Sequence, residues 1–275
     1  MHDGGRAGGF NRKALEEHIR MAAYPKARAE VTVVLATVSA NSLGVADALR
    51  MLETPAYVAM ENATADGGFL ETVINALGRV ELWNALGKGW LSIYQMGGFG
   101  EVEKVLAHVC RNVPGPCRVF VLADSDAEFP GQITATHRKV AESCAAAGAP
   151  YAILRKRKIE NYLPVSVLNR LGGRRERIVF QAFLELNSDQ RSHYEMKYGF
   201  TEDGRGGAAV PAGQAALFAG VRNPVLRDLC GGFGGCVAER FREERETITE
   251  VDIRQVCDSE PTELDRILDE IEKLL

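Results

Sequence analysis

Two carboxylates one residue apart stand at the end of an unbroken apolar run: Val119-Phe120-Val121-Leu122-Ala123 leads into Asp124-Ser125-Asp126. A continuous run of this kind reads as a strand buried on both faces. In open α/β sheets the carboxyl ends of the strands are where ligands bind. Hard divalent cations such as Mg²⁺ take oxygen donors, so two aspartates in the turn after such a strand could share one metal ion. Taken alone, the pattern is equally an ordinary solvated turn, because Asp and Ser favour turns. A second apolar run, Ala56-Tyr57-Val58-Ala59-Met60, also ends in an acid, Glu61, with Asp66 just beyond it. Asp66 has a simpler reading as the cap of the next helix, whereas Glu61 sits directly at the strand end. Two strands delivering acids to one edge of a sheet form a more specific signal than either motif alone.

The elements that would position these acids alternate. Strands are expected at 31–36, 56–60, 90–94, 118–122 and 151–154, and helices at 12–23, 45–52, 68–77, 102–110 and 134–147. Strands alternating with helices imply βαβ units, a mainly parallel sheet and helices on both faces. After Pro164 the rhythm stops. Residues 165–186 read as one helix and 199–213 as a Gly-rich loop. The tail from Glu239 reads as charged and helical, with Leu264, Ile267, Ile271 and Leu274 spaced for one apolar face. The expected organisation is a leader with a short helix at 1–30, an α/β core at 31–168 and a mainly helical region at 169–275. The amphipathic tail would suit a partner or a homodimer contact.

In its order of motifs the chain resembles the Toprim domains of topoisomerases, primases and nucleases, and more closely the OLD-like Toprim nucleases, many of which serve anti-phage defence. The strand followed by Glu61, the pair Gly97-Gly98, the Asp124-Ser125-Asp126 turn and the run Lys158-Ile159-Glu160-Asn161-Tyr162-Leu163-Pro164 occur in the family's order. The resemblance covers roughly residues 56–168. Asn62 stands where the family carries Gly, and Asp66 lies one position later than the family's second acid.

The resemblance implies a Toprim/Rossmann-like α/β fold and Mg²⁺- or Mn²⁺-assisted hydrolysis of phosphodiester bonds. Glu61, Asp124 and Asp126 would hold metal, and Asp66 and Glu160 would complete a second site. A lysine would add charge stabilisation, with Lys158 and Lys197 as candidates between which the sequence does not choose. Glu160 and Asn161 could equally tie loop backbone together while Tyr162 packs. Nucleic acid is the implied substrate, with DNA the first expectation over RNA. The sequence carries no ATPase motif, so a partner ATPase or sensor encoded nearby is expected.

Charge supports a polyanion substrate only locally. The net charge is −4, yet residues 151–177 hold eight basic residues against Glu160 and Glu176. Arg155, Lys156, Arg157, Arg174 and Arg175 are therefore candidates to grip phosphates without reading sequence; the plainer reading is a solvated helix face. Gly97-Gly98-Phe99-Gly100 precedes a helix and could offer amides to a phosphate, but it lacks the Lys-Ser/Thr of a P-loop. His137 and His193 lack partners at metal-ligand spacing and read as structural. The glycines at 231–235 read as a turn or close-packing site.

Two rivals remain. A strand followed by DxD also occurs in metal-dependent nucleotide-sugar glycosyltransferases and in aspartate-nucleophile phosphatases, though Glu128 stands where the phosphatases want Thr or Val. The other rival is a Toprim-like scaffold that binds nucleic acid or a partner without catalysis. The six cysteines include no CxxC pair, which argues against a zinc ribbon and reads as reduced thiols in a cytoplasmic protein. The longest apolar run is too short to cross a bilayer, and the Gly-rich start lacks an apolar signal core.

Overall fold

The computed structural model describes residues 32–34, 42–112 and 115–275. The expected leader and the helix at 12–23 lie outside the described residues. Thr32–Val34 (β1) pairs in parallel with Ser42–Gly44 (β2) as a separate two-stranded sheet, and Val45–Glu53 (α1) follows.

The main sheet has four strands, Ala56–Met60 (β3), Leu91–Gln95 (β4), Val119–Ala123 (β5) and Tyr151–Ile153 (β6), in the order β4-β3-β5-β6. Every pairing is parallel. Between these strands run Ala65–Ala76 (α2), Val80–Gly87 (α3), Val102–Asn112 (α4) and Ala135–Ala147 (α5). The class is therefore α/β, a parallel sheet flanked by helices, with a mainly helical C-terminal part. Side chains alternate across β3 and β5, as the two-residue period of a strand requires. Val58, Met60, Phe120 and Leu122 enter one core with Phe69, Leu70 and Ile74 of α2. Ala59, Val119, Val121 and Ala123 enter another with Leu106 of α4 and Val140 of α5.

The strand order creates the site. The chain leaves β3 for β4 on one side, then returns to place β5 on the other side of β3, with Ala59 paired to Val121. The winding direction thus reverses between β3 and β5, and ligand crevices in open sheets open beyond the carboxyl ends of the strands at such a reversal.

Beyond β6 the helices are Val165–Leu168 (α6), Arg174–Leu184 (α7), Ser188–His193 (α8), Ala215–Phe218 (α9), Asn223–Asp228 (α10), Arg240–Glu243 (α11), Glu250–Val256 (α12) and Glu263–Glu272 (α13). The single helix expected at 165–186 is broken. Gly172 and Gly173 interrupt it, and α7 starts afresh with Gly173 extended at its N-cap. The loop expected at 199–213 contains a short antiparallel pair, Thr201–Glu202 (β7) with Ala208–Ala209 (β8). Its turn closes because Asp203 Oδ1 accepts the N–H groups of Arg205 and Gly207, each at 2.8 Å.

The apolar face of α13 is not left for a partner, contrary to the expectation for the tail. Leu264, Ile267, Leu268 and Ile271 are buried in the core shared with β3, β5 and α2. Arg79 reinforces the packing by pairing with Asp265 at 3.2 Å and Asp269 at 2.7 Å. The cysteines also differ from expectation. Cys110 and Cys117 form a disulfide between the end of α4 and the start of β5, with Cα atoms 5.0 Å apart. Their C-x₆-C spacing spans a turn between elements rather than a metal knuckle. Cys144, Cys230, Cys236 and Cys257 are free.

Candidate active site

Glu61 leaves β3 still partly tied to the ladder. The carbonyl of Met60 accepts Met96 N–H at 2.8 Å, and that of Glu61 accepts Gly97 N–H at 3.1 Å. Gly97 and Gly98 have φ of 74° and 126°, which glycine adopts without steric cost. This lets the loop after β4 fold against the acid: a Cβ on Gly98 would lie 4.0 Å from Glu61 Oε1. Asn62, in the place of the family's glycine, builds the next turn. Its side-chain oxygen accepts Thr64 N–H at 2.9 Å, and its own N–H donates to Asp66 Oδ2 at 2.8 Å. Asp66 thus lies in the first turn of α2, whose N-cap is Thr64 rather than Asp66. Its environment is nevertheless unusual: burial pushes the carboxyl up to about 6, with the charges of Glu160 and Glu61 adding to the rise and Asn62 N–H and Lys197 opposing it.

The turn after β5 is stitched to the segment after β6. Asp124 Oδ1 accepts Ile159 N–H at 3.0 Å, the Ser125 hydroxyl donates to the Lys156 carbonyl at 2.8 Å, and Asp126 N–H donates to the Arg157 carbonyl at 2.9 Å. Ser125 is buried. Asp126 takes φ 53°, the only positive φ at a non-glycine among the described residues, a conformation Asp tolerates better than most side chains. The Asp124 carboxyl is raised well above the usual range by burial first, then by Glu160, Asp66 and Asp126, with Lys158 opposing.

Glu160 lies in a 3₁₀ turn, Ile159–Tyr162, and is 1% exposed. A buried carboxylate needs a counter-charge, and Lys197 supplies it with Nζ 2.6 Å from Oε1, a close ion pair rather than a well-aligned hydrogen bond. Burial works against the Lys197 ammonium, but Glu160, Asp124 and Asp66 outweigh it and leave the group raised. Asn161 is the scaffold: its Oδ1 accepts Lys158 N–H at 3.1 Å, and its Nδ2 donates to the carbonyls of Arg191 and Tyr194. The Tyr162 hydroxyl donates to Glu263 at 2.9 Å, so α13 helps to fix this turn.

Lys158 bridges two acids, with Nζ 3.8 Å from Asp126 Oδ1 and 3.7 Å from Glu195 Oε2. Arg157 Nε lies 3.3 Å from the same Glu195 oxygen. Glu195 is a site residue that no strand end or metal-ligand spacing marks in the sequence.

Glu61, Asp66, Asp124, Asp126 and Glu160 therefore form an interacting acid string, joined by Lys158 and Lys197. The basic stretch is not gathered there as a whole. Lys156 is 8% exposed, over the Tyr162 ring at 5.4 Å, and burial lowers its ammonium, so it is not a surface phosphate contact. Arg155 pairs with Glu260 at 3.2 Å. Arg174 and Arg175 line a cavity with Arg227 and Cys230. His137 serves the capping box that starts α5 with Thr134, and the buried His193 is bonded to the Asp189 carbonyl at 2.8 Å; both are structural, as expected.

The donor set is of the type a hard cation takes, though it is not gathered into one site among the described residues. All its members are carboxylates, and burial, with neighbouring acid charges adding to it, raises Asp66 and Asp124. Among the described residues no three His, Cys, Asp or Glu side chains form a ready-made metal site; the acids are spread along the edge and interleaved with lysines. Comparison with protein-family models, with curated proteins and with solved structures gives no match.

Proposed function

We propose that the chain is a divalent-metal-dependent phosphodiester nuclease acting on nucleic acid, DNA before RNA, as the effector of a prokaryotic anti-phage defence system. The observation that carries this reading is the delivery of acids from two adjacent parallel strands to one sheet edge, where burial first and Glu160 second raise both Asp66 and Asp124. A buried cluster of carboxyls that raise one another is suited to a cation. Glu61, Asp124 and Asp126 would hold it, with Asp66 and Glu160 beside them. The chemistry Mg²⁺ or Mn²⁺ supplies at such acids is polarisation of the phosphate and acidification of water. Lys197 and Lys158, each paired with an acid of the edge, would stabilise the charge of a bound phosphate. Arg157 supports Lys158 through their common partner Glu195.

The spread of the acids favours a second reading, a non-catalytic scaffold in which Lys158 and Lys197 neutralise the edge permanently. Divalent-metal binding separates the two, because the scaffold should bind none. The direct test is incubation of plasmid, single-stranded DNA and RNA with Mg²⁺, Mn²⁺ or EDTA, beside Asp124→Ala. Cleavage that requires metal and disappears in Asp124→Ala is expected; cleavage that survives both EDTA and Asp124→Ala refutes the mechanism. Among the described residues no helix is long and apolar enough to cross a membrane. Work in the cytoplasm with a partner ATPase or sensor belongs to the same proposal, and a pull-down returning only the chain itself counts against that partner.

A further inference from the structure

The cavity between α7 and α10 points to a second binding site, and we propose that it takes a phosphate group, independently of the acid edge. The cavity measures about 360 Å³ and is lined by Arg174, Arg175, Arg227, Ile178, Glu202 and Asp228, among others. That volume is at the lower end of small-ligand pockets. Three guanidiniums face two carboxylates, which leaves one positive charge in excess. Among the described residues the Arg227 side chain pairs with its own neighbour alone, Asp228, at 3.8 Å. Arg174 is exposed and makes no hydrogen bond or ion pair among the described residues.

Arg175 is held in place. Its guanidinium donates to the carbonyl of Cys230, and the next residue, Gly231, has φ 76°. A Cβ on Gly231 would fall 2.4 Å from Arg175 Nη2. The first glycine of the run 231–235 therefore serves both the turn and the space for this guanidinium. Ile178, 44% exposed, gives the cavity an apolar wall beside the cations. Arginine forks match the oxygens of phosphate and form the stronger, charge-assisted class of hydrogen bond. Phosphate is preferred to a carboxylate because it offers more acceptor oxygens and up to two charges to a set of three arginines. The same chemistry reaches the site from two sources, a small phosphorylated molecule or the backbone of a nucleic acid.

The test needs neither divalent metal nor cleavage, so its failure leaves the nuclease reading standing and the converse also holds. Pyrophosphate is titrated calorimetrically into the full chain in EDTA, alongside Arg174→Ala, Arg227→Ala and the control Arg222→Ala, whose exposed side chain pairs with Glu185. Pyrophosphate should bind the wild type, weaken at least about tenfold in Arg174→Ala and in Arg227→Ala, and be unaffected in Arg222→Ala. A short single-stranded oligonucleotide, followed by fluorescence anisotropy, separates the sources. Loss of its affinity in the same two variants, with displacement by pyrophosphate, assigns the site to backbone phosphate; insensitivity of the oligonucleotide assigns it to a small ligand. Absence of pyrophosphate binding to the wild type, or equal binding by all four chains, overturns the proposal.

Discussion

Replacing Asp66 by Asn should stabilise the metal-free protein at neutral pH and do so only there. The wild-type carboxyl is raised from 3.8 to about 6, mainly by burial and then by Glu160 and Glu61. A carboxyl raised by folding binds its proton more tightly in the native state than in the unfolded chain. Its contribution to stability is full below the unfolded value and is lost as pH rises through about 6. Across that interval the loss is about 3 kcal/mol, at 1.36 kcal/mol per pH unit. Asn carries no charge to desolvate, and its side-chain oxygen can still accept the Asn62 N–H that Asp66 accepts now. The variant should therefore melt higher than wild type at pH 8 by about 6 °C, taking about 2 °C per kcal/mol for a chain of this size. The gap should close as pH falls to about 4. Thermal unfolding followed by circular dichroism in EDTA, at intervals between these pH values, measures it. A variant no more stable than wild type at pH 8, or a gap that does not narrow on acidification, refutes the argument that Asp66 sits in an under-compensated acid cluster.

Lys197→Met strands the buried Glu160 carboxylate, so it should cost about 3–5 kcal/mol, and adding Glu160→Gln should recover most of that loss in urea unfolding. Ile271→Ala removes a side chain with no exposed surface from the core and should cost about 2–5 kcal/mol by the same measurement, whereas an α13 that docks on a partner would tolerate the change. Paired Cys110→Ser and Cys117→Ser removes a disulfide across a sequence separation of 7 and should lower stability by about 2–3 kcal/mol; cleavage at saturating metal should persist, because this bridge lies at the end of β5 opposite the acids.

The sheet was legible because its strands announce themselves locally. Residues 56–60 are apolar without interruption and form β3 with those bounds, and β5 is displaced by one residue from its expected start. Both strands bury both faces, so a continuous apolar run is the signal physics predicts. The C-terminal part was harder to read. Apolar spacing continues across 165–186, and only the pair Gly172-Gly173 says that one helix should be two. The helix α3 is short and framed by Gly78 and Gly89, and no expected element covers it. The apolar stripe of α13 was visible, but a stripe does not say which surface it covers; the answer lies in β3, β5 and α2, all more than a hundred residues earlier.

The same division between local and distant runs through the site. Its acids were readable because each follows a strand or a recognisable turn in the chain. Their counter-charges were not, because charge pairing is settled in space. A count along residues 151–177 finds a basic segment, yet Arg155 is answered by Glu260, Arg170 by Glu244 and Arg157 by Glu195, acids on elements far along the chain. At the edge itself the balance has the other sign. Glu61, Asp66, Asp124, Asp126, Glu160 and Glu195 are set against Arg157, Lys158 and Lys197. Such a deficit adds to the rise that burial imposes on Asp66 and Asp124, and a bound cation would relieve it. A bound cation would favour the ionised form of those carboxyls. On the proposed nuclease reading, metal affinity should weaken on acidification as metal and protons compete for the same oxygens; a divalent-metal affinity unchanged between pH 8 and pH 5 would count against that reading.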